Sequence, residues 1–518
     1  MMITLKNTAK WMVGLAIATA CTNLDEVVYQ QITTENYYKN AEEVIAAYLS
    51  VYRPLQDIWE ENYFNITEFS TDEALRPTRI QHGYDGGQWI RFHRHEWLVE
   101  ESRIEDVWNQ CFKGIGFANN CLSDFQDVDF AAMNVGIPYA QIEAELHAMR
   151  AFYYYVLCDL FGGVPVVEKV AEPPAPARNT RTETAAFVEK ELKAFVNRLP
   201  DKNEHSYGKF TKGAAWTILA KLYLNAEEWT GTARWNDCIA ACDSVILNGQ
   251  YQLDEHWQDP FHYFNEGSQE NIFVIPYDQI YATQMNYPGR FLHYAHKLTY
   301  LLPNPSSNGV CTEVGFLSKF KYRNDGSYSF ASGDKRCEQW LVGPQYEYDG
   351  VTPLPCVMEL QGQDLVLDPV IKNMEEGAEN NGARNVKFRI QIGTPDYPQD
   401  NDVPVVRYAD VLMMKAECLL RTGRKPEALP LINQVRARCF DDGDPDKAYT
   451  DITMDEFLDE RAREFAYECW RRQDMIRFGK FNDAWWDKRA TEPYLKLFPI
   501  PDSRVKANPN MKQNPGYE

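Results

Sequence analysis

The dominant pattern in the sequence is two pairs of amphipathic helices set far apart along the chain. Apolar residues recur at helical spacing over 212–226 and 235–247, and again over 406–421 and 426–438. A short turn containing glycine joins the two helices of each pair. Hairpins of this size resemble degenerate tetratricopeptide units, which cannot cover their own apolar faces. The two pairs are therefore expected to stack on each other.

Further helices are predicted nearer the N-terminus, at residues 41–57, 104–115, 141–161 and 183–198. Gly162 and Pro165 end the third of these, because glycine permits a left-handed cap and proline forbids continuation. Asn271 to Pro276 is typical of a short buried strand.

The expected architecture is mainly α, with tetratricopeptide-like helix pairs and a loop-rich, partly irregular lobe. Residues 21–518 are predicted to form a single domain. Its helical scaffold spans about 41–250 and 404–480, and its lobe spans about 59–98 and 251–400, which are rich in Tyr, Gly, Pro and Asn. Loops on a rigid scaffold commonly carry function, so binding residues are expected in the lobe.

The first twenty residues resemble a bacterial signal sequence. Lys6 and Lys10 are their only charges, and the run from Trp11 to Ala20 is apolar or small. Small residues directly before Cys21 resemble a lipobox, in which residues 1–20 are removed and the cysteine is acylated. The alternative is an ordinary signal peptide whose cleavage site happens to precede a cysteine. The sequence favours lipidation of Cys21.

Charge and missing motifs exclude several classes of function. The chain has 53 Lys and Arg against 75 Asp and Glu, a net charge of −22, which disfavours nucleic acid and anionic lipid as partners. Phosphate-binding glycine loops and the GxSxG motif are absent from the sequence, and no cofactor is predicted. His93 and His95 could share a strand face, but nothing completes a metal site. The 12 cysteines contain no CxxC pair. Cys158, Cys238, Cys242, Cys418 and Cys469 lie in helical patterns and are expected to be buried free thiols, although disulfides stay open.

Aromatic and polar residues alternate densely within 59–98, as a sugar-binding surface requires. Flat rings cover the apolar C–H faces of a sugar, while arginine and carboxylate groups bind its hydroxyls. Phe92 and Trp97 are assigned to the core. A second contribution is expected from 281–300. The predicted ligand-binding residues are Tyr84, Trp89, Arg79, Asp85, Asp72 and Tyr287.

Several ordered motifs resemble the SusD/RagB family across nearly the whole chain after residue 20. They are Ala144–Tyr154 continuing to Phe161–Pro165, Arg407–Glu417, Ile432–Arg438, Glu460–Glu468 with Arg471–Arg477, and Phe498–Pro501 with Gln513–Tyr517. Arg407, Glu460, Glu464, Arg471 and Asp474 are charges inside apolar helices. Buried charge is costly unless it is matched, so these residues are expected to pair and to hold the scaffold together.

The resemblance implies a non-catalytic, glycan-binding lipoprotein of the outer membrane. Such a protein would face the cell exterior and deliver oligosaccharide to a SusC-like TonB-dependent transporter. The resemblance also implies a ligand site that includes part of 59–98. One alternative is a peptide- or glycopeptide-binding uptake protein of the same family. A second alternative is a surface glycoside hydrolase, since paired carboxylates could act on a glycosidic bond.

Overall fold

Helices dominate the computed structural model, which describes residues 38–80, 82–170, 175–395 and 398–517. The α-helices of these residues, α1 to α18 in chain order, are Ala41–Leu49, Arg53–Ile58, Phe64–Glu68, Gln88–Arg94, Ser102–Asp124, Tyr139–Phe161, Arg181–Phe195, Lys212–Leu224, Ala226–Thr230, Trp235–Ile246, Tyr287–Phe291, Lys297–Tyr300, Val314–Leu317, Tyr408–Arg421, Lys425–Arg436, Met454–Phe465, Arg471–Arg477 and Asp502–Ala507.

The long helices pack as the predicted pairs. Helix α6 packs against both α5 and α7, α8 packs against α10, and α14 packs against α15. Helix α10 also packs against α14. The two pairs recognised in the sequence therefore stack directly, although residues 250–400 separate them along the chain. The prediction of a mainly α fold with tetratricopeptide-like pairs is confirmed.

Short antiparallel strands complete the described fold. They are β1 Asn271–Ile275, β2 Trp340–Leu341, β3 Gly343–Pro344, β4 Val366–Leu367, β5 Arg384–Asn385 and β6 Val403–Arg407. Strand β1 pairs with β6, β2 with β5 and β3 with β4. The predicted strand at 271–276 is confirmed. The predicted helix start at Val406 is wrong, because Val406 and Arg407 pair with β1 and α14 begins only at Tyr408.

The stretch 59–98 is less irregular than the sequence suggested. Trp59 to Tyr63 forms a π-helical turn that joins α2 to α3, and α4 covers 88–94. Trp59 and Tyr63 stack with ring centroids 4.2 Å apart, and both side chains are buried. Their spacing of four residues placed both rings on the core side of a helix, which the expectation of a loop overlooked.

A buried charge network supports the prediction that the motif charges are scaffold. Arg407 contacts Glu464 at 2.8 Å, Glu468 at 2.8 Å and Glu270 at 2.5 Å. Arg438 also contacts Glu464, at 2.9 Å. Burial alone would raise the pKa of Glu464, but the charges of these arginines outweigh it and hold that pKa well below its usual range.

The cysteines within the described residues are buried and free, as expected for structural thiols. Cys21 and the signal sequence lie outside the described residues. Within them, no helix is both long and apolar enough to cross a membrane, and no group of three or more His, Cys, Asp or Glu side chains could hold a metal ion.

A second charged feature, the carboxyl pair Glu68 and Glu73, is fully buried beside the turn between α16 and α17. Glu68 accepts the backbone N–H of Cys469, and Glu73 accepts that of Tyr467. Both partners have left-handed backbones, with φ of 67° and 62°. The second oxygen of each carboxyl group has no hydrogen-bond partner among the described residues. Burial raises the pKa of Glu68 to about 8 and that of Glu73 well above its usual range.

Replacing Glu68 by glutamine should weaken the loss of stability at alkaline pH. The proton held by the folded pair stabilises the protein fully below the unfolded pKa of 4.5, and this contribution is lost as pH rises through about 8. One such proton corresponds to a slope of about 1.4 kcal/mol per pH unit. The glutamine side chain would accept from Cys469 without titrating. We expect the thermal midpoint of Glu68→Gln to fall less than that of the wild type between pH 5 and 9. A constant difference between the two proteins would contradict this assignment.

Candidate functional site

Tyr84 is presented to solvent by a turn that needs two glycines. Its side chain is 59% exposed, and it directly precedes the segment Asp85–Gly87. Gly86 and Gly87 have left-handed backbones, with φ of 68° and 76°. A Cβ atom on Gly87 would lie 3.3 Å from both the Tyr84 hydroxyl and the Arg91 guanidinium. The turn therefore brings the exposed ring and a cationic side chain together over bare backbone.

Trp89 lies behind this turn and is 2% exposed. Its indole Nε1–H donates to the Asp85 carboxylate at 2.6 Å, and Phe69 packs edge-on with ring centroids 5.3 Å apart. The guanidinium groups of Arg76 and Arg103 lie 5.0 and 5.8 Å from its centroid. Protein groups already occupy its surroundings, so in this conformation Trp89 supports the turn and offers no open face to a sugar.

Arginine–carboxylate pairs lie on and beside Trp89. They are Arg76–Asp85 at 3.0 Å, Arg103–Glu61 at 3.0 Å, Arg91–Glu101 at 2.5 Å and Arg290–Glu60 at 3.0 Å. Asp85 is 38% exposed at its side chain, and Arg76 is 26% exposed. The Arg76 Nε atom has no hydrogen-bond partner among the described residues. This Nε atom is itself buried, so the pair presents the exposed Asp85 carboxylate and the partly exposed end of the Arg76 guanidinium beside Tyr84.

Arg79 and Tyr287 are buried, at 1% and 2% exposure. Arg79 donates to the backbone carbonyls of Asn308 at 2.7 Å and Ala378 at 2.6 Å, and so connects distant loops. Tyr287 stacks on Phe291 with centroids 4.7 Å apart. Burial raises the pKa of Tyr287 well above its usual range. Both residues have structural contacts in this conformation, and neither side chain reaches the exposed turn at Tyr84.

Asp72 has a different neighbourhood. It forms a two-point ion pair with Arg471, both distances being 2.8 Å, and a longer contact with Lys319 at 3.5 Å. Burial would raise the pKa of Asp72, but these two cations hold it well below its usual range. The carboxylate lines a cleft of about 260 Å³ that Trp485 also lines. The predicted set therefore divides into the exposed pair Tyr84 and Asp85, the buried Trp89 directly behind them, and three residues placed elsewhere: Arg79, Tyr287 and Asp72.

The assignment of Phe92 and Trp97 to the core is confirmed, with exposures of 0% and 5%. His93 and His95 do not form a metal site. The ring of His93 contacts the Trp486 carbonyl at 2.8 Å, and that of His95 contacts the Ser70 carbonyl at 2.9 Å. Burial lowers the pKa of His93 to about 4. These histidines are structural.

The second predicted stretch, 281–300, meets the first through His82 and Tyr294. The His82 ring nitrogen contacts the Tyr294 hydroxyl, and the two rings are 5.6 Å apart. Farther along this stretch, the Leu298 carbonyl accepts the Tyr348 N–H at 3.2 Å. The Thr299 hydroxyl donates to the Tyr346 carbonyl at 2.6 Å. These contacts join three loops.

We call five of the exposed or half-buried tyrosines on these joined loops the tyrosine surface: Tyr84, Tyr294, Tyr300, Tyr346 and Tyr348. Tyr346 is 42% exposed and Tyr348 is 60% exposed. Sequence reasoning missed these two. The sequence could have indicated them, because they lie two residues apart directly before the Asp349-Gly350 turn. Residues two apart on an extended segment share one face.

Ion pairs with arginine engage the carboxylates beside the tyrosine surface. Asp85, Glu61 and Glu101 each pair with an arginine. The carboxyls with a strongly raised pKa, which a general acid needs, include Glu68 and Glu73, and these are completely buried. Neither could reach a bound sugar.

Comparison with known families identifies the family of this chain. The family described as "SusD family" matches residues 269–493, and the one described as "Starch-binding associating with outer membrane" matches residues 22–224. The chain belongs to the SusD family. The sequence-based recognition is confirmed.

SusD-family relatives match over most of the chain. Starch-binding protein SusD of Bacteroides thetaiotaomicron is 26% identical over 509 residues, covering 88% of this chain and 85% of the relative. SusD-like protein P38 of Formosa agariphila is 23% identical and covers 98% and 97%. A solved laminarin-binding SusD-like protein superposes with a TM-score of 0.69 at 20% identity, covering 93% of this chain and 100% of the other. This last likeness establishes the SusD-like fold.

Within this SusD-like fold, Trp89→Ala and Tyr84→Ala should differ sharply in their effect on stability. Removing the buried indole should lower the free energy of unfolding by about 3–5 kcal/mol. Removing the exposed phenol should change it by less than about 0.5 kcal/mol. Urea denaturation of the two variants measures both values. Equal, small effects would mean that Trp89 is accessible and would restore it as a stacking ring.

Proposed function

We propose that this SusD-family protein binds an oligo- or polysaccharide at the tyrosine surface without cleaving it. The observation that carries the proposal is the set of exposed and half-buried tyrosines on joined loops, with the Arg76–Asp85 ion pair beside Tyr84. Rings can stack on the C–H faces of sugar residues, and the ion pair supplies a donor and an acceptor for hydroxyls. The starch, laminarin and surface-glycan names of relatives support this reading.

Binding at this surface is expected to be additive along the glycan. One exposed ring contributes on the order of 1 kcal/mol, which does not offset the cost of association by itself. Several rings must therefore be occupied together. Affinity should be weak for a disaccharide and should rise with chain length until the surface is covered.

The double variant Tyr84→Ala with Tyr348→Ala should weaken glycan binding by at least about tenfold, since two stacking contacts are lost. Calorimetry with the best ligand from a glycan array provides the measurement. Phe264→Ala is the matched control, because Phe264 is 60% exposed but lies on the segment beside β1. Unchanged affinity in the double variant would exclude the tyrosine surface. Binding of peptides alone, or turnover of any glycan, would favour the peptide-binding or hydrolase alternative.

We further propose that Cys21 carries lipid and anchors the protein in the outer membrane, facing outward, where it delivers glycan to a TonB-dependent transporter. The small residues before Cys21 and the outer-membrane description of the N-terminal family match support this placement. Each buried CH₂ of an acyl chain contributes about 0.8 kcal/mol, so multiple chains make a stable anchor.

Cys21→Ala should move the protein from the membrane fraction to the soluble fraction in detergent partitioning. The anchored wild type should co-purify with an outer-membrane transporter after mild solubilisation. Retention of Cys21→Ala in the membrane fraction would argue against the lipid anchor. Purification without a transporter would argue against delivery.

A further inference from the structure

We infer that the glycan bound at the tyrosine surface is uncharged, without uronate or sulfate groups at the sugars that contact Arg76 and its neighbours. This inference rests on the proposed function, because it names the chemical class of that ligand. It depends on how the charges beside the surface are matched, and not on any particular sugar.

The first argument is that each arginine beside the surface already has an acidic partner. The pairs formed by Arg76, Arg91, Arg103 and Arg290 match four cations with four carboxylates, at 2.5–3.0 Å. Arginine is well suited to bidentate recognition of sulfate or carboxylate, but that requires a guanidinium whose charge is not already matched. These four pairs together present no net positive charge.

The second argument concerns the Arg76–Asp85 pair, the one nearest to Tyr84. An anionic group approaching the Arg76 guanidinium would come close to the Asp85 carboxylate, 3.0 Å from that cation. Like charges at such distances repel strongly in a partly desolvated site. The Asp85 carboxylate is also held by the Trp89 indole N–H at 2.6 Å, so it cannot easily turn away.

The third argument is the charge at the far end of the surface. Lys297, Glu347 and Asp349 are the charged residues of the segments 297–300 and 346–351. One positive and two negative charges leave −1. An anionic polymer lying along the tyrosine surface would meet repulsion there and balanced pairs at Arg76. A polyhydroxylated, neutral chain would meet only rings, donors and acceptors.

The Arg76–Asp85 ion pair can also bind an uncharged sugar through hydrogen bonds to its hydroxyl groups. A sugar hydroxyl can accept from arginine and donate to a carboxylate, so two adjacent hydroxyls can bridge Arg76 and Asp85. Charge-assisted hydrogen bonds of this kind are stronger than neutral ones, and they need no charge on the ligand.

The test compares uncharged and anionic oligosaccharides of equal length by calorimetry at 50 and 500 mM NaCl. Gluco-, manno- and galacto-oligosaccharides are the uncharged probes, and oligogalacturonate and chondroitin sulfate are the anionic ones. We expect binding among the uncharged probes, with a Kd that changes by less than about twofold between the two salt concentrations. We expect no binding of the anionic probes by the wild type.

The variant Asp85→Asn provides the complementary test. Its side-chain oxygen can still accept the hydrogen bond from Trp89, but the positive charge of Arg76 no longer has a negative partner. This variant should gain salt-sensitive binding of an anionic probe. Salt-sensitive binding of anionic probes alone by the wild type would overturn the inference and leave glycan binding intact. Failure of every probe to bind would overturn the proposed function and this inference together. A cooperative thermal unfolding transition would show that the protein in that experiment was folded.

Discussion

The scaffold depends on Glu464, a buried carboxylate that three arginines contact. Arg407 from β6, Arg438 after α15 and Arg336 from the lobe all reach it, at 2.8–2.9 Å. An unmatched charge at this depth would cost several kcal/mol, so the three segments can occupy the interior only when they arrive together. The pairing therefore fixes α16 against the β1–β6 strands and against the lobe at the same time.

A neighbouring network of buried charges joins the helix pairs, which are far apart in the sequence, into one scaffold. Lys221 of α8 meets Asp410 of α14 at 2.5 Å, and its ammonium lies 3.3 Å from the centroid of the Trp470 ring. Asp410 also contacts Arg461 of α16, at 3.2 Å. Helices from both halves of the sequence share these charges. These contacts therefore join the helix pairs directly, across the long segment that separates them in the sequence.

The periodicity of apolar residues was sufficient to predict the long helices and β1, because this spacing reflects the local geometry of a helix or strand. It could not predict the solvent exposure of Tyr84 and Trp89, which lie five positions apart: the first is exposed and the second is buried. The burial of Trp89 comes from Phe69 and from the guanidinium groups of Arg76 and Arg103. Tyr84 instead precedes a glycine-dependent turn. Such contacts between separate segments leave no periodic trace, and the same limit concealed Tyr346 and Tyr348.

Buried arginine has a further consequence for binding, because it organises the loops before any ligand arrives. Arg79 donates to the Asn308 carbonyl, and Arg384 donates to the Asn308 side chain at 2.5 Å. Asn308 donates in turn to the Glu379 carbonyl at 2.8 Å, and the Glu379 carboxylate accepts backbone N–H groups of the loop 357–360. Ordering loops on binding subtracts from affinity. At the proposed tyrosine surface such preorganisation matters most, since each ring contributes only on the order of 1 kcal/mol.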